Sequence, residues 1–422
     1  EFFAEYSIAD LSSQSDYWIG KRGRITHPMF KPVGATHYEA IPWDMAFQKI
    51  AKHLNGLASP DRAVFYTSGR TSNEAAFLYQ LFVRMYGTNN LPDCSNMCHE
   101  SSGVALSETQ GIGKGSVTLE DFYESEVIMV IGQNPGTNHP RMLNALKRAK
   151  KNGAKIITIN PLPETGLLKF KDPQSVEDMM GKGIELTDLF LQVRINGDVA
   201  LLKGIMKLMK QREIEQGGVV DWQFVENKTK GFELFYDHLD QYNLQRLSEE
   251  SGIAAHQMQE AADLLSGSTK IIACWAMGLT QHKNGVENIQ EVVNLLLMKG
   301  SIGKPGAGTC PVRGHSNVQG DRTMGIWEKP KDAFLNALQY EFKFDPPRNH
   351  GLDVVDSIKK MHDQPGMVFF AMGGNFLSAS PDTSYTAEAL KRRTTRPPAR
   401  NPRRAWLRAV MRAWIDCRSQ RH

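Results

Sequence analysis

A cysteine and a histidine stand side by side in the stretch NNLPDCSNMCHESSG, residues 89–103. Cys98 is followed directly by His99 and then by ESSGVALSETQG, a segment that has the character of a helix. The thiolate, rather than the thiol, is the form of cysteine that attacks substrates and binds metals, and a helix N-terminus or a nearby cation favours it. The surroundings of Cys98 therefore suit thiolate chemistry.

Several chemistries are open to Cys98 when this stretch is considered alone. A buried structural cysteine beside a surface histidine is one. A zinc site needs four ligands, whereas Cys94 and Cys98 have CxxxC spacing and no second close Cys/His pair follows. An iron–sulfur cluster needs four cysteines, and a Cys–His hydrolase normally takes its partners from distant parts of the chain. A single soft thiolate ligand to a metal carried by a cofactor needs one cysteine and agrees best with these counts.

A second candidate group is Arg313, in the segment KGSIGKPGAGTCPVRGHSNVQGDRTMG at 299–325. The segment is punctuated by Gly and Pro and has little hydrophobic content, which predicts a long functional loop. A guanidinium group is a fixed planar cation that can bind a carboxylate or phosphate through two parallel hydrogen bonds. A surface salt bridge is the alternative interpretation of Arg313.

The elements that must position these residues follow one recurring design, in which a short apolar strand leads into a polar turn. In three cases an amphipathic helix comes next. Continuous apolar strands alternating with helices are typical of βαβ units and of a parallel sheet buried on both faces. The predicted fold class is therefore α/β. The predicted strands are 61–67, 125–132, 154–160, 269–278 and 366–374, and the predicted helices are 74–86, 141–151 and 286–299.

The turns after these strands are rich in Gly, Asn, Ser, Thr and Gln and contain almost no acid. In open α/β sheets, ligands bind outside the carboxyl ends of the strands, next to helix N-termini. Backbone and amide donors gathered there suit a large, phosphate-bearing ligand. No GxxxxGK[ST] loop is present, and no GxGxxG follows a strand, so a dinucleotide-like ligand held from several sides is favoured.

Five segments closely resemble the molybdopterin oxidoreductases, and more narrowly the formate-dehydrogenase-like alpha subunits of the YdeP type. The resemblance runs from about residue 1 to 390, with the motifs in the family's order. It implies two doubly wound α/β/α domains with mostly parallel sheets, one of them discontinuous, as in domains II and III of formate dehydrogenase and DMSO reductase. The segments are SGRTSNEAAFLYQLF, DCSNMCHE, GQNPGTNHPRM, GAKIITINP and LLLMKGSIGKPGAGTCPVRGHSNVQGDRTMG.

The resemblance also implies a division of the chain. Residues 1–41 would be a remnant of an N-terminal domain. Residues 42–94 and 315–390 would together form the discontinuous α/β domain, and residues 95–314 a dinucleotide-binding-like α/β domain. Residues 391–422 would be a basic tail, either translated out of frame or disordered.

The cofactor that the resemblance implies is molybdenum bis(molybdopterin guanine dinucleotide), which supports two-electron chemistry. Cys98 would ligate molybdenum, His99 would handle protons with an imidazole pKa near the ordinary 6.5, and Arg313 would orient a small anionic substrate such as formate. The electron-transfer partner is not specified. The residues expected to contact the dinucleotides are Asn134, His139, Asn160, Met277, Gly278, Gln281, Gly374 and Asn375.

The chain also departs from the family pattern. Members of this type carry the cysteines of a 4Fe-4S cluster near the N-terminus, upstream of the first residue here, so those ligands are absent from this chain. They continue past residue 390 into more of the cofactor cradle and a β-rich domain. The chain is therefore expected to be a fragment that does not enclose both pterins. The alternative function is a non-catalytic remnant that binds a nucleotide cofactor.

Composition and charge limit the classes of partner and the cellular compartment that are expected. With 41% hydrophobic and 23% charged residues, the chain resembles a soluble globular protein, and it lacks the run of about 20 apolar residues that would span a membrane. Five scattered cysteines predict a reducing, cytoplasmic compartment.

The net charge of +4 hides an uneven distribution. Residues 391–422 hold 11 Lys and Arg and one acid, whereas residues 1–390 carry 39 basic and 45 acidic residues. A nucleic-acid-binding arm would explain such a tail. Its abrupt onset and Arg/Pro/Ala bias favour an out-of-frame translation instead, so nucleic acid is not an expected partner.

Overall fold

The structure, a computed structural model, describes residues 1–391 apart from the side chains of residues 177 and 179. The chain divides into two compact units. The first comprises Glu1–Met97 and the chain from His315 onwards, and the second comprises Cys98–Gly314. The roles that the resemblance gave to these segments remain predictions. The predicted basic tail lies outside the described residues from residue 392 onwards.

The strands within residues 1–391 are short, with at most five residues each. They are β1 (Met29–Phe30), β2 (Glu39–Ala40), β3 (Ala63–Thr67), β4 (Val127–Ile131), β5 (Lys155–Ile159), β6 (Leu189–Leu191), β7 (Ile271–Trp275), β8 (Gly308–Pro311) and β9 (Val368–Met372).

The helices of the described chain range from single turns to 19 residues. They are α1 (Phe2–Glu5), α2 (Ile8–Ser13), α3 (Asp16–Gly20), α4 (Trp43–Asn55), α5 (Asn73–Tyr86), α6 (Glu100–Gln110), α7 (Leu119–Glu124), α8 (Pro135–Asn138), α9 (Pro140–Lys151), α10 (Thr165–Leu168), α11 (Val176–Met180), α12 (Asp198–Gln216), α13 (Trp222–Lys228), α14 (Phe232–His238), α15 (Leu244–Ser251), α16 (Ala255–Ser266), α17 (Met277–Thr280), α18 (Gly285–Met298), α19 (Val318–Thr323), α20 (Asp332–Phe342), α21 (Val354–Asp363), α22 (Phe376–Ala379) and α23 (Thr383–Lys391).

The second unit is built on a five-stranded parallel sheet in the order β6-β5-β4-β7-β8. Its central strand β4 is apolar throughout because both faces are covered. Met129 and Ile131 pack into a core formed with α12, α16 and α18. Ile128 and Val130 pack on the opposite face against α7 and α9. Helices on both faces of a parallel sheet make this unit a doubly wound α/β fold.

The strand order reverses between β4 and β7. After β4 the chain adds β5 and β6 on one side, and it then returns to add β7 and β8 on the other. This is the strand order of a dinucleotide-binding half, and ligands in such sheets bind in the crevice at the reversal.

Two glycines meet at this crevice. The Gly278 amide donates to the Gly132 carbonyl at 3.0 Å, so the exits of β4 and β7 touch backbone to backbone. A Cβ on Gly278 would lie 2.5 Å from the Gly132 Cα. Gly132 also has a positive φ of 56°, which favours glycine. Both positions therefore require residues without side chains.

The first unit contains a second parallel pair, β3 with β9, in register from Ala63↔Val368 to Thr67↔Met372. Val64 and Tyr66 face one apolar cluster, and Ala63 and Phe65 face another, so this sheet is also covered on both faces. Its two strands are separated by the whole second unit, which makes the first unit discontinuous in sequence. The predicted α/β class with mostly parallel sheets is confirmed.

One expectation from the sequence was wrong. The segment 299–325, predicted as a long loop, contains the strand β8 and the helix α19. β8 has the sequence GTCP and lies at the sheet edge, where a strand can be short and can contain proline. Among residues 1–391, no helix combines the length and apolar character needed to cross a membrane.

The contact between Gly132 and Gly278 can be tested by substitution. We expect Gly278→Ala to lower the free energy of unfolding by about 1–3 kcal/mol, because the new methyl group cannot be accommodated against the Gly132 backbone. Gly267→Ala is the matched control, since a Cβ there would lie 3.6 Å from its nearest neighbour. Urea denaturation measures both variants, and equal stabilities would contradict the contact.

Candidate active site

Cys98 lies at the N-terminus of α6, next to the exit of β7. The helix begins at Glu100 and His99 occupies its N-cap position. The half-buried Cys98 side chain has its Sγ 3.4 Å from the Sδ of Met277, the first residue of α17. The partial positive charge of a helix N-terminus favours a thiolate over a thiol. The fold thus places a sulfur of suitable chemistry at the carboxyl end of the sheet.

His99 is buried, and both of its ring nitrogens have partners. Nε2 lies 3.0 Å from the Val312 carbonyl and Nδ1 lies 2.9 Å from the Ser102 hydroxyl. Because a carbonyl only accepts, Nε2 carries the hydrogen and Nδ1 accepts from Ser102. The indole nitrogen of Trp275 donates to the same hydroxyl at 3.0 Å. This chain of hydrogen bonds fixes the imidazole as a neutral tautomer.

Burial lowers the pKa of His99 to about 4, and the positive charge of Arg313 contributes in the same direction. The ring is therefore neutral at physiological pH, and the pKa near 6.5 assumed from the sequence does not hold here. Proton transfer by His99 would require release of one of its two hydrogen bonds. The proton-handling role of His99 stays a prediction.

Arg313 follows β8 and reaches back towards α6. Its Nη1 lies 3.5 Å from the His99 carbonyl and its Nη2 lies 3.4 Å from the Gly113 carbonyl. Both distances are at the long end of the hydrogen-bond range, so these bonds are weak enough for an anion to replace them. The Arg313 carbonyl accepts from Nε2 of His139 at 3.2 Å, which fixes the backbone beneath the guanidinium group.

The exits of β4 and β5 are joined by their asparagines. Nδ2 of Asn160 donates to Oδ1 of Asn134 at 2.8 Å and to the Leu162 carbonyl at 2.8 Å. Gln133, which precedes Asn134, is buried, and its Nε2 is 3.3 Å from Nδ1 of His139. These loops present amides and an imidazole, and their carboxylate, that of Glu164, caps α10 by accepting from the Leu167 amide.

The buried Oε1 of Gln133 has no hydrogen-bond donor within residues 1–391. Buried polar atoms nearly always have partners, so a water or a bound group is expected to donate to this acceptor. Pterin rings carry amino and ring N–H donors. Together with the glycine contact at the strand reversal, this acceptor is compatible with a pterin cofactor in the crevice.

The exit of β7 supplies three more predicted residues. Met277 is 41% exposed, Gly278 forms the contact with Gly132, and the backbone nitrogen of Gln281 donates to the Met277 carbonyl at 3.0 Å. The Gln281 side chain is exposed. This short turn therefore presents a thioether and an amide beside Cys98.

Gly374 and Asn375 belong to the first unit, where they follow β9. Gly374 has a φ of 66°, and a Cβ there would lie 2.8 Å from the Ser68 Cβ. Oδ1 of Asn375 accepts from the Ser378 amide at 3.5 Å and so caps α22. Their predicted contact with a dinucleotide stays a prediction.

Apart from Gly374 and Asn375, the predicted site residues all lie at one end of the sheet of the second unit. Sequence reasoning missed three residues that hold them, Ser102, Gln133 and Trp275. Only Ser102 carried a local signal, because it stands three residues after His99 at helical spacing. Residues 1–391 contain no group of three or more His, Cys, Asp or Glu placed to hold a metal ion.

Residues 24–395 match the molybdopterin oxidoreductase family. Because this match covers most of the chain, the protein belongs to the molybdopterin oxidoreductase family. The resemblance drawn from the motifs is confirmed.

Individual relatives agree with this assignment. The chain is 57% identical over 393 residues to the uncharacterized oxidoreductase Rv2900c of Mycobacterium tuberculosis, covering 93% of this chain and 50% of that protein. It is 44% identical over 395 residues to the protein YdeP of Escherichia coli, covering 92% and 52%. The chain therefore spans about half the length of these relatives.

Two further similarities are more distant. A formate dehydrogenase 1 subunit alpha of Methanococcus maripaludis is 30% identical over 383 residues, covering 89% of this chain and 53% of that subunit. The structure of acetylene hydratase from Pelobacter acetylenicus superposes with a TM-score of 0.65 at 20% identity, covering 88% of this chain and 52% of the other. At that identity, the superposition shows a shared fold.

The lowered pKa of His99 predicts a pH dependence of stability. Between pH 6.5 and about 4 the unfolded chain protonates this histidine and the folded chain does not, so stability falls as the pH falls through this interval. The loss attributable to His99 is about 3 kcal/mol at most. Unfolding of the wild type should therefore be more pH-dependent than unfolding of His99→Gln.

Denaturation at a series of pH values measures this difference. His256→Gln, at an exposed position of α16, is the control and should keep the wild-type profile. If His99→Gln also keeps that profile, the imidazole titrates alike in the folded and unfolded states, and the buried neutral ring is refuted.

Proposed function

We propose that this protein is the metal-proximal part of a molybdenum-dependent oxidoreductase with formate-dehydrogenase-like two-electron chemistry. Its cofactor would be molybdenum bis(molybdopterin guanine dinucleotide), with Cys98 as the protein ligand to the metal. The observation that carries the proposal is the position of Cys98. A half-buried thiol lies at a helix N-terminus, at the carboxyl end of a doubly wound sheet, beside the loop of Met277.

The cofactor would be held at the strand reversal of the second unit. The amides of Asn134 and Asn160 and the imidazole of His139 would contact one dinucleotide, and the turn from Met277 to Gln281 would contribute further contacts. When bound, the molybdenum centre supplies the two-electron chemistry, whereas the protein orients and tunes it. Gly374 and Asn375 are part of the same proposal.

Cys98 would act as a thiolate. A soft anionic sulfur is a suitable ligand for a redox-active metal, and the N-terminus of α6 stabilises its negative charge. A single thiolate is all that the protein must supply when the cofactor provides the other ligands.

Arg313 would bind a small anionic substrate such as formate. Two of its partners are backbone carbonyls at 3.4 and 3.5 Å, and a carboxylate offers shorter, charge-assisted bonds. The neutral ring of His99 adds no second positive charge beside this guanidinium. Proton movement at Nδ1 of His99 would pass through the Ser102 hydroxyl, which is already hydrogen bonded there.

The remaining parts of the proposal concern the whole protein. The family resemblance of the motifs is the basis for expecting a 4Fe-4S cluster and an electron-transfer partner in the whole protein. A cytoplasmic location is included, because none of the four cysteines within residues 1–391 forms a disulfide there, as in a reducing compartment. Nucleic acid is not a proposed partner.

The ligand assignment predicts the effect of changing one sulfur. We expect Cys98→Ser, made in the full-length protein, to lower formate-dependent dye reduction by at least about 100-fold, because loss of a metal ligand exceeds the 10–100-fold cost of disturbing ligand supports. The matched control is Cys94→Ser, which makes the same change four residues earlier. Turnover, molybdenum content by mass spectrometry and releasable pterin are measured on each protein.

These measurements distinguish the molybdenum enzyme from the non-catalytic remnant. Wild-type turnover in Cys98→Ser would refute the ligand assignment. Wild-type protein that contains neither molybdenum nor pterin, when made in a host that synthesises both, would instead support the non-catalytic remnant.

The role of Arg313 predicts a specific kinetic change. We expect Arg313→Lys to raise KM for formate about 10- to 100-fold, because lysine keeps the charge and loses the paired geometry, at a cost of about 1.5–3 kcal/mol. Arg212→Lys, which keeps the charge of an arginine that pairs with Asp263 at the surface, should leave KM unchanged. An unchanged KM in Arg313→Lys would remove this arginine from substrate binding.

A further inference from the structure

Two cysteines outside the proposed metal site face each other across the last two strands of the second unit. Cys274 in β7 and Cys310 in β8 are register partners in the parallel pair. Both side chains pack against the apolar cluster that contains Ile272 and Val130, so they point to the same face of the sheet. Both are free thiols in the structure.

The strand geometry brings these residues within reach of a covalent bond. Neighbouring strands lie about 4.8 Å apart, and the Cα atoms of a disulfide are usually about 4.4–6.8 Å apart. The Cβ atoms must approach slightly for the bond to form. β8 is at the edge of the five-stranded sheet, where its outer side is hydrogen bonded to Ser116 instead of to a further strand.

The two thiols are not equivalent. Cys274 is fully buried, and Cys310 is half-buried. The neighbouring Cys274 thiol lowers the pKa of Cys310, whereas burial raises the pKa of Cys274. A less buried sulfur with a lowered pKa beside a second thiol is the arrangement of an attacking cysteine and a resolving cysteine.

We propose that Cys274 and Cys310 form a redox-modification site, in which a peroxide converts the pair into a disulfide that links β7 to β8. The Cys310 thiolate attacks one oxygen of hydrogen peroxide, the O–O bond breaks, and hydroxide leaves with formation of a sulfenic acid. The Cys274 sulfur then attacks the Cys310 sulfur and displaces the second hydroxide. The two thiol protons convert both hydroxides into water. The sulfurs are oxidised and the peroxide is reduced.

The disulfide would be readily reversible. A bond that pulls neighbouring parallel strands together is strained, and strain makes a disulfide easier to reduce. The site also lies directly beneath functional loops, because β7 leads into Met277 and Gly278 and β8 leads into Arg313. Joining the strands changes the spacing of those two exits. This inference depends only on Cys274 and Cys310 and does not require the proposed function.

Peptide mapping of the whole protein tests the site. The reduced protein is treated with hydrogen peroxide, its remaining thiols are alkylated, and it is digested with trypsin. The tryptic peptides 271–283 and 300–313 each contain one cysteine. The expected result is a covalent pair of these two peptides that dithiothreitol separates.

Single variants test the order of events. In Cys274→Ser, the sulfenic acid on Cys310 should persist and be trapped by dimedone. In Cys310→Ser, oxidation of Cys274 should be lost, because the accessible sulfur is missing. Cys94→Ser, in which Cys274 and Cys310 are unchanged, should give the wild-type cross-link. If a core variant fails to fold, the wild-type map still decides the proposal.

Two results would overturn the proposal. One is the absence of the cross-linked peptides at peroxide concentrations that already oxidise the half-buried Cys98. The other is oxidation of Cys274 in Cys310→Ser at the wild-type rate, which would show that the two sulfurs react independently.

Discussion

The second unit depends on one close contact, the hydrogen bond of 3.0 Å between the Gly278 amide and the Gly132 carbonyl. It joins the exits of β4 and β7 at the point where the strand order reverses, and it leaves no room for a side chain on either residue. Gln133 and Asn134 are thereby fixed on one side and Met277 on the other. Because Met277 contacts Cys98, the glycine contact also sets the position of the candidate metal ligand.

The buried, neutral His99 links a second set of elements in this unit. His99 links the N-terminus of α6 to the carbonyl that follows β8, and Trp275 of β7 supports it through Ser102. The backbone of His99 is in turn a partner of the Arg313 guanidinium. His99 therefore contacts both the segment after β8 and Arg313 while it directly follows Cys98, and a change at His99 is expected to disturb both Cys98 and Arg313.

The sequence predicted the parts of the structure that have a strong local signal. The strands β4, β5 and β7 are continuous apolar runs, and they were predicted within two or three residues of their observed ends. β6 and β8 were missed because they contain three and four residues, and GTCP has no strand-like pattern. Cys98 and Arg313 lie in recognisable motifs. Gln133 and Trp275 support the site through contacts between distant segments, which no spacing in the sequence reveals.

The central claim is that the sulfur of Cys98 is a ligand of molybdenum. X-ray absorption at the molybdenum edge tests it directly on the purified, cofactor-loaded protein. The account predicts that the wild type has a sulfur neighbour in addition to those of the pterins, and that this neighbour disappears in Cys98→Ser. Identical spectra for the two proteins would contradict the claim, because the metal would then be bound without this thiolate.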